Sequence, residues 1–182
     1  MFYVEPPVLG PTVRTFSAAF PREQSTGPAA HGDAQDGQPA SASVELNRTN
    51  LTSAAFSFTF IDNYRFAALS PAGATFRVTS PEGNSSETVL PPGGSTSATV
   101  QFATINLPPE EMILVAGDEN EARKMAAAKF PACETGSGEW TVEITVQRAY
   151  VTPVHPPGGS ISWSLTTRVG FYSLQVTELH RS

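Results

Sequence analysis

GEWTVEITV, residues 138–146, alternates strictly after its glycine. Trp140, Val142, Ile144 and Val146 share one side, and Glu139, Thr141, Glu143 and Thr145 share the other. A period of two is the signature of a strand with one buried face. The tryptophan is in phase with the aliphatic residues, so it belongs to the core, where a large aromatic ring buries much area. This strand therefore reads as scaffold rather than as a sugar-stacking platform.

The same pattern recurs along the chain. AAFSFTFID (54–62) places Phe56, Phe58 and Phe60 on one face, and ISWSLTTRVGF (161–171) puts Trp163 in phase with Ile161 and Leu165. Further strand signals lie at 43–50, 64–69, 74–80, 85–90, 95–107 and 172–179, separated by Pro/Gly turns such as SPAGA, SPEGN, PPGG and VHPPGGS. About eight or nine short strands with such punctuation predict an all-β antiparallel sandwich of jelly-roll type. One segment breaks the rule. Within 107–133, Asp118 can cap a helix, Glu121 completes a capping-box-like pair and Pro131 closes the far end. A helical insert over 119–129 is expected, crossing between strands or plugging one end of the sandwich through Met125 and Phe130.

Residues 1–42 read differently. Val8, Val13, Phe16 and Phe20 alternate weakly and suit an extended arm, while 23–43 (EQSTGPAAHGDAQDGQPASAS) holds small and polar residues with scattered Gly and Pro. That composition points to a flexible segment. The expected organisation is an arm and linker over 1–42 and a β-sandwich domain over 43–182.

Bulk numbers narrow the function classes. The chain has 182 residues, 40% hydrophobic and only 15% charged, with a net charge of −6 and no Lys/Arg cluster. This excludes the electrostatic footprint of a nucleic-acid binder. Low charge with abundant Ser, Thr, Gly and Pro suits an extracytoplasmic all-β domain. MFYVEPPVLGP is not a signal peptide, and no window is long and apolar enough to span a bilayer. Two readings stay open: a whole soluble protein, or a piece that follows a membrane anchor outside this chain. The single cysteine, Cys133, allows no internal disulfide; it reads as a small half-buried residue or as a partner for another chain.

Signals for chemistry are sparse. His31, His155 and His180 have no metal-ligand spacing, and no CxxC or GxSxG is present, so no cofactor is expected. Nothing flanking Cys133 or His155 supports a nucleophile pair. Asp118, Glu119 and Glu121 suit the positive end of a helix better than a calcium loop. Asp62-Asn63 reads as a turn. Asn47, Asn50 and Asn84 head N-x-S/T triplets, either as glycosylation acceptors or as ordinary turn residues.

FRVTSPEGNSS (76–86), GSGEWTVEITVQ (136–147) and GGSISWSLTTRV (158–169), in that order, resemble the P domain of proprotein convertases and its prokaryotic relatives. The resemblance spans roughly 44–179. It implies a jelly-roll accessory module that is not itself catalytic. The helical insert over 119–129 departs from that family, as does the lack of an acidic loop suited to calcium.

Three functions follow as expectations. The first is a non-enzymatic ectodomain or accessory module at the cell surface, binding a protein or glycan partner. The second is a self-assembling subunit of a filament, surface layer or virion, in which the arm bearing Val8, Val13, Phe16 and Phe20 pairs with a neighbour as a homo-oligomer. The third is a glycan-active hydrolase or lyase using Glu139 or Glu143.

Overall fold

The computed structural model describes residues 13–103, 105–149 and 158–179, and divides into two compact units. The larger unit takes in 23–107 and 133–171; the smaller is drawn from the N-terminal end, 108–132 and the C-terminal end.

The larger unit is a jelly roll. One sheet has the order β2 (Arg22–Gln35), β10 (Ser160–Tyr172), β4 (Leu51–Asp62), β7 (Ser97–Ala103). The second has the order β3 (Ala40–Leu46), β9 (Gly138–Arg148), β5 (Ala72–Thr79), β6 (Ser85–Leu90). From β2 to β10 the chain changes sheet at every step except the β5–β6 hairpin, which is how a jelly roll is wound. The alternating stretches behave as their pattern requires. Trp140, Val142, Ile144 and Val146 of β9 are buried, as are Phe56, Phe58 and Phe60 of β4 and Ile161, Trp163 and Leu165 of β10. The core is aromatic: Phe58 stacks on Phe76 at 4.7 Å, and Trp140 packs against Phe56 at 5.0 Å and Phe102 at 4.8 Å. Trp140 is buried with its polar end satisfied, Nε1 donating to the Gly136 carbonyl at 2.9 Å.

The segment expected to be flexible is a strand. β2 lies beside β10, and its inward positions are Ser25, Gly27, Ala30, Gly32 and Ala34. They are small because bulk comes from the neighbour: a Cβ at Gly27 would stand 3.2 Å from Thr167, and one at Gly32 would stand 3.0 Å from the Trp163 ring. Pro28 is tolerated because β2 is an edge strand. Segment 64–69, read as a strand, is instead a run of turns, with Ala67 N donating to Tyr64 O and Ser70 N to Phe66 O. Asp62 imposes this turn by accepting from both Tyr64 N at 3.1 Å and Ala72 N at 2.9 Å.

The smaller unit is a three-stranded antiparallel sheet, β11 (Gln175–Glu178), β1 (Arg14–Ala19), β8 (Met112–Ala116), with helix α1 (Glu119–Lys129) packed on it. The helix begins where expected. Asp118 accepts from Glu121 N at 2.8 Å, and Glu121 reaches back to Gly117 N at 2.7 Å. It buries Ala122 and Ala126 rather than the expected Met125, which is 42% exposed. Small alanines let the helix approach Phe16, Ala18, Leu114, Ala116 and Val176 closely. Phe130 packs edge-on against Phe20 at 5.6 Å. β8 lies in a segment that the helical signals had dominated.

Candidate functional site

Two places in the described residues concentrate unusual chemistry: a buried arginine in the larger unit and an uncovered apolar face in the smaller one.

Arg148 ends β9 with its side chain 1% exposed. Its Nε donates to Asp36 at 2.6 Å; Nη1 and Nη2 form a fork on Asp62, each at 2.9 Å; and Nη1 also reaches the Ser70 carbonyl. The guanidinium lies over the Tyr64 ring at 4.5 Å. Burial pushes the Asp62 carboxyl up, but hydrogen bonds from Arg148, Tyr64 N and Ala72 N outweigh it and hold the group below its ordinary value. Burial likewise lowers Arg148, and the two aspartates overcome this and raise it. Every donor on the guanidinium that is named here has a protein acceptor. The cluster therefore ties the β2 end, the 62–72 turn and β9 together, with Asp36 Oδ1 its one buried atom that has no hydrogen-bond partner among the described residues.

The sequence-predicted sites are scattered. Asn47 is exposed just after β3, and Asn84 is exposed in the 80–84 turn, where its N donates to Ser80 Oγ. Asn50 is half-buried with a left-handed φ of 57°, and its carboxamide oxygen accepts from Cys133 N at 2.8 Å. That oxygen is engaged in holding the Cys133 loop. Cys133 is half-buried and its Sγ donates to Asn106 Oδ1 at 3.0 Å. Glu139 and Glu143 lie on the solvent face of β9, and Glu143 faces Arg77 at 3.9 Å. His31 is exposed on β2; His155 and His180 lie outside the described residues. Among the described residues no cluster of His, Cys, Asp or Glu has the makings of a metal site, and no helix is long and apolar enough to cross a membrane.

The proposed assembly arm needs correction. Val8 lies outside the described residues. Phe16 is 1% exposed in β1, the central strand of the small sheet, and Phe20 packs on Phe130 and Tyr172. The hydrogen-bonding edges of residues 14–19 are already taken by this chain's own β8 and β11, so they cannot add to a neighbour's sheet. Val13 alone of the four is described and well exposed, at 64%.

Val13 belongs to the second place. α1 covers one face of the small sheet. The opposite face carries the alternate residues, and the register aligns Leu179 with Thr15 and Val115 in one row and Thr177 with Ser17 and Ile113 in the next. Ile113 is 60% exposed, Val115 58% and Leu179 41%. None of these strand residues is charged. Glu111, from the preceding segment, brings a carboxylate over this face and accepts a hydrogen bond from Ser17 Oγ of the central strand, which is only 8% exposed. Arg14 and Glu178 pair at 3.2 Å and are in phase with Phe16 and Val176, on the helix side. β8 itself, MILVA, is apolar at every position, the pattern of a strand buried on both faces. Lying between Pro108-Pro109 and Gly117, that run was the signal available in the sequence.

No family model and no curated protein matches the sequence. Among solved structures, the chain is similar to one in the Nora virus structure, at 11% identity and TM-score 0.28, covering 91% of this chain and 61% of that one. It is also similar to a chain of desmodium yellow mottle tymovirus, at 10% identity and TM-score 0.24, over 100% of this chain and 98% of that one. A chain of infectious bursal disease virus Gx strain matches at 11% identity and TM-score 0.23, over 88% and 41%. At such scores these likenesses carry no argument about function.

Proposed function

We propose that this chain is a non-enzymatic structural subunit that assembles with copies of itself, as the coat subunit of a virion-type shell does. The observation that carries this reading is β8. A strand apolar on both faces calls for two covers, and the described residues supply one, helix α1. Among the described residues the other face leaves Ile113, Val115 and Leu179 exposed, with Val13 exposed just before β1 and the Glu111 carboxylate bonded to Ser17 between the flanking strands. Contiguous exposed apolar patches larger than a few hundred Å² are rare on monomers and mark interaction sites.

The jelly-roll body supports the reading only by analogy, since the same architecture serves shells, lectins and cupins. The buried Arg148–Asp36–Asp62 cluster of the larger unit makes internal contacts, which suits a building block. In the sequence-based expectation the arm was the assembling element; here the role passes to the sheet into which that arm is woven. The ectodomain expectation finds no comparable feature in its favour among the described residues.

Sedimentation velocity and electron microscopy of the purified full chain test this. Mass that rises with concentration toward discrete closed particles is the expected result. A monomer at every concentration and ionic strength overturns the proposal.

A further inference from the structure

The outer face of the sheet β2-β10-β4-β7 carries a groove of about 290 Å³, bordered by Thr26, Ala55, Ser57, Thr99, Thr166 and Arg168. We propose that this groove binds a sugar acid, with the carboxylate on Arg168 and the ring hydroxyls on the row Thr166–Ser57–Thr99. The site does not depend on the assembly reading above, since a monomer and a shell subunit can both carry it.

The strand register builds the groove. Thr166 of β10 stands opposite Ser57 of β4, which stands opposite Thr99 of β7, so three hydroxyls lie in one row across the sheet. The next row is Arg168, Ala55 and Gln101, and the short Ala55 leaves room beside the guanidinium. Ser57 Oγ and Thr99 Oγ1 lie 3.0 Å apart, and a hydroxyl paired in this way keeps spare hydrogen-bonding capacity. Thr26, Thr166 and Arg168 are exposed, and among the described residues none of their side chains has a hydrogen-bond or ion-pair partner. No carboxylate on the strands beside Arg168 competes for it. β10 and β7 contain no acidic residue, and the one on β4, Asp62, is held by Arg148. On β2, Asp33 accepts from Ser162.

These features select the ligand. One planar guanidinium matches one carboxylate through two parallel hydrogen bonds. A phosphate group carries about two charges on three acceptor oxygens, more than one arginine satisfies. A neutral sugar would leave Arg168 unused, and a bare carboxylate would leave the hydroxyl row unused. Residues two apart on a strand are about 7 Å apart. The two rows therefore suit one molecule with a carboxylate at one end and hydroxyls around a ring. The volume is close to the lower bound of roughly 300 Å³ for ligand sites, which suits a single sugar unit.

Heteronuclear NMR titration of the dilute full chain tests this. The probes are D-glucuronate, D-galacturonate and N-acetylneuraminate, with D-glucose, acetate and sulfate as controls. In the expected result at least one of the three acids shifts the amides at 55–57, 99 and 166–168. It binds at least about tenfold more tightly than every control, the scale of one charge-assisted hydrogen bond. Arg168→Gln weakens that acid about tenfold, and Thr166→Val, which removes one hydroxyl at nearly constant shape, weakens it about fivefold. Both replaced side chains are exposed, so circular dichroism and thermal unfolding should match the wild type. The proposal is overturned if none of the three acids moves these amides, or if an Arg168→Gln chain binds the acid as the wild type does. Glucose binding as tightly as the acids would overturn the role of the carboxylate. Acetate or sulfate binding as tightly would overturn the role of the hydroxyl row, and with it the sugar acid.

Discussion

The two units solve the same problem, burying a sheet, with opposite means. In the larger, sheet faces sheet across a core that includes Phe56, Phe58, Phe76, Trp140 and Trp163. In the smaller, a three-stranded sheet meets one short helix through Phe16, Leu114, Val176 and four alanines. The first arrangement covers each sheet's inner face with the other and leaves mainly Ser, Thr and Glu outside, with Ile61 and Val89 as isolated exposed apolar residues on β4 and β6. The second covers one face and leaves Ile113 and Val115 on the other. The neighbouring pair Ile113 and Val115 on one strand is what the proposed assembly reading rests on.

The largest effect should come from breaking the self-sufficient region at its charged clamp. Arg148→Ala leaves Asp36 and Asp62 uncompensated, and removing one partner of a buried ion network costs about 3–5 kcal/mol. Chemical denaturation of the dilute chain reads it directly. A loss below about 1 kcal/mol would mean that the cluster behaves as a surface pair and that the larger unit is less closed than described.

A smaller effect follows from pH. The carboxyls of Asp62 and Glu82 both have lowered values: burial pushes each up, but Arg148 in the first case and the Gly136 amide at 2.5 Å in the second pull harder. A carboxyl whose folded value is depressed binds its proton more readily unfolded. The stabilisation is thus present at neutral pH and is lost as pH falls below about 4. Unfolding midpoints measured from pH 7 to 3 should fall over the acid end, with a shallower slope in Asp62→Asn. An unchanged slope in that variant would assign the acid sensitivity elsewhere.

The smallest effect belongs to the smaller unit. Asp118→Ala removes the helix cap, at about 1 kcal/mol. Amide exchange should show the loss in Glu119–Lys129 and leave β9 unaffected. Equal loosening of β9 would mean that the two units unfold as one.

The contrast also explains what could be read in advance. β4, β9 and β10 were legible because large apolar residues alternate with polar ones, and the helix was legible from Asp118 and Glu121. β2 was hidden because its inward residues are small, their shape set by Trp163 and Thr167 on a strand more than a hundred positions away. The turn at 64–69 was hidden for a similar reason: Tyr64 and Phe66 look strand-like, and Asp62 with Arg148 overrides them. β8 was readable in principle as a short run apolar on both faces, but the helical signals just after it drew the whole segment into one element. Its open face was not readable at all, since only the pairing of β8 with β1 shows which side the helix leaves uncovered.

Hydrogen–deuterium exchange of the full chain, followed from dilute solution up to the concentration at which particles form, tests the central claim most directly. The account predicts that exchange in Met112–Ala116 slows at least about tenfold as copies associate, while Gly138–Arg148 in the closed sandwich is unchanged. Particles that form with Met112–Ala116 exchanging as fast as in the monomer would contradict it.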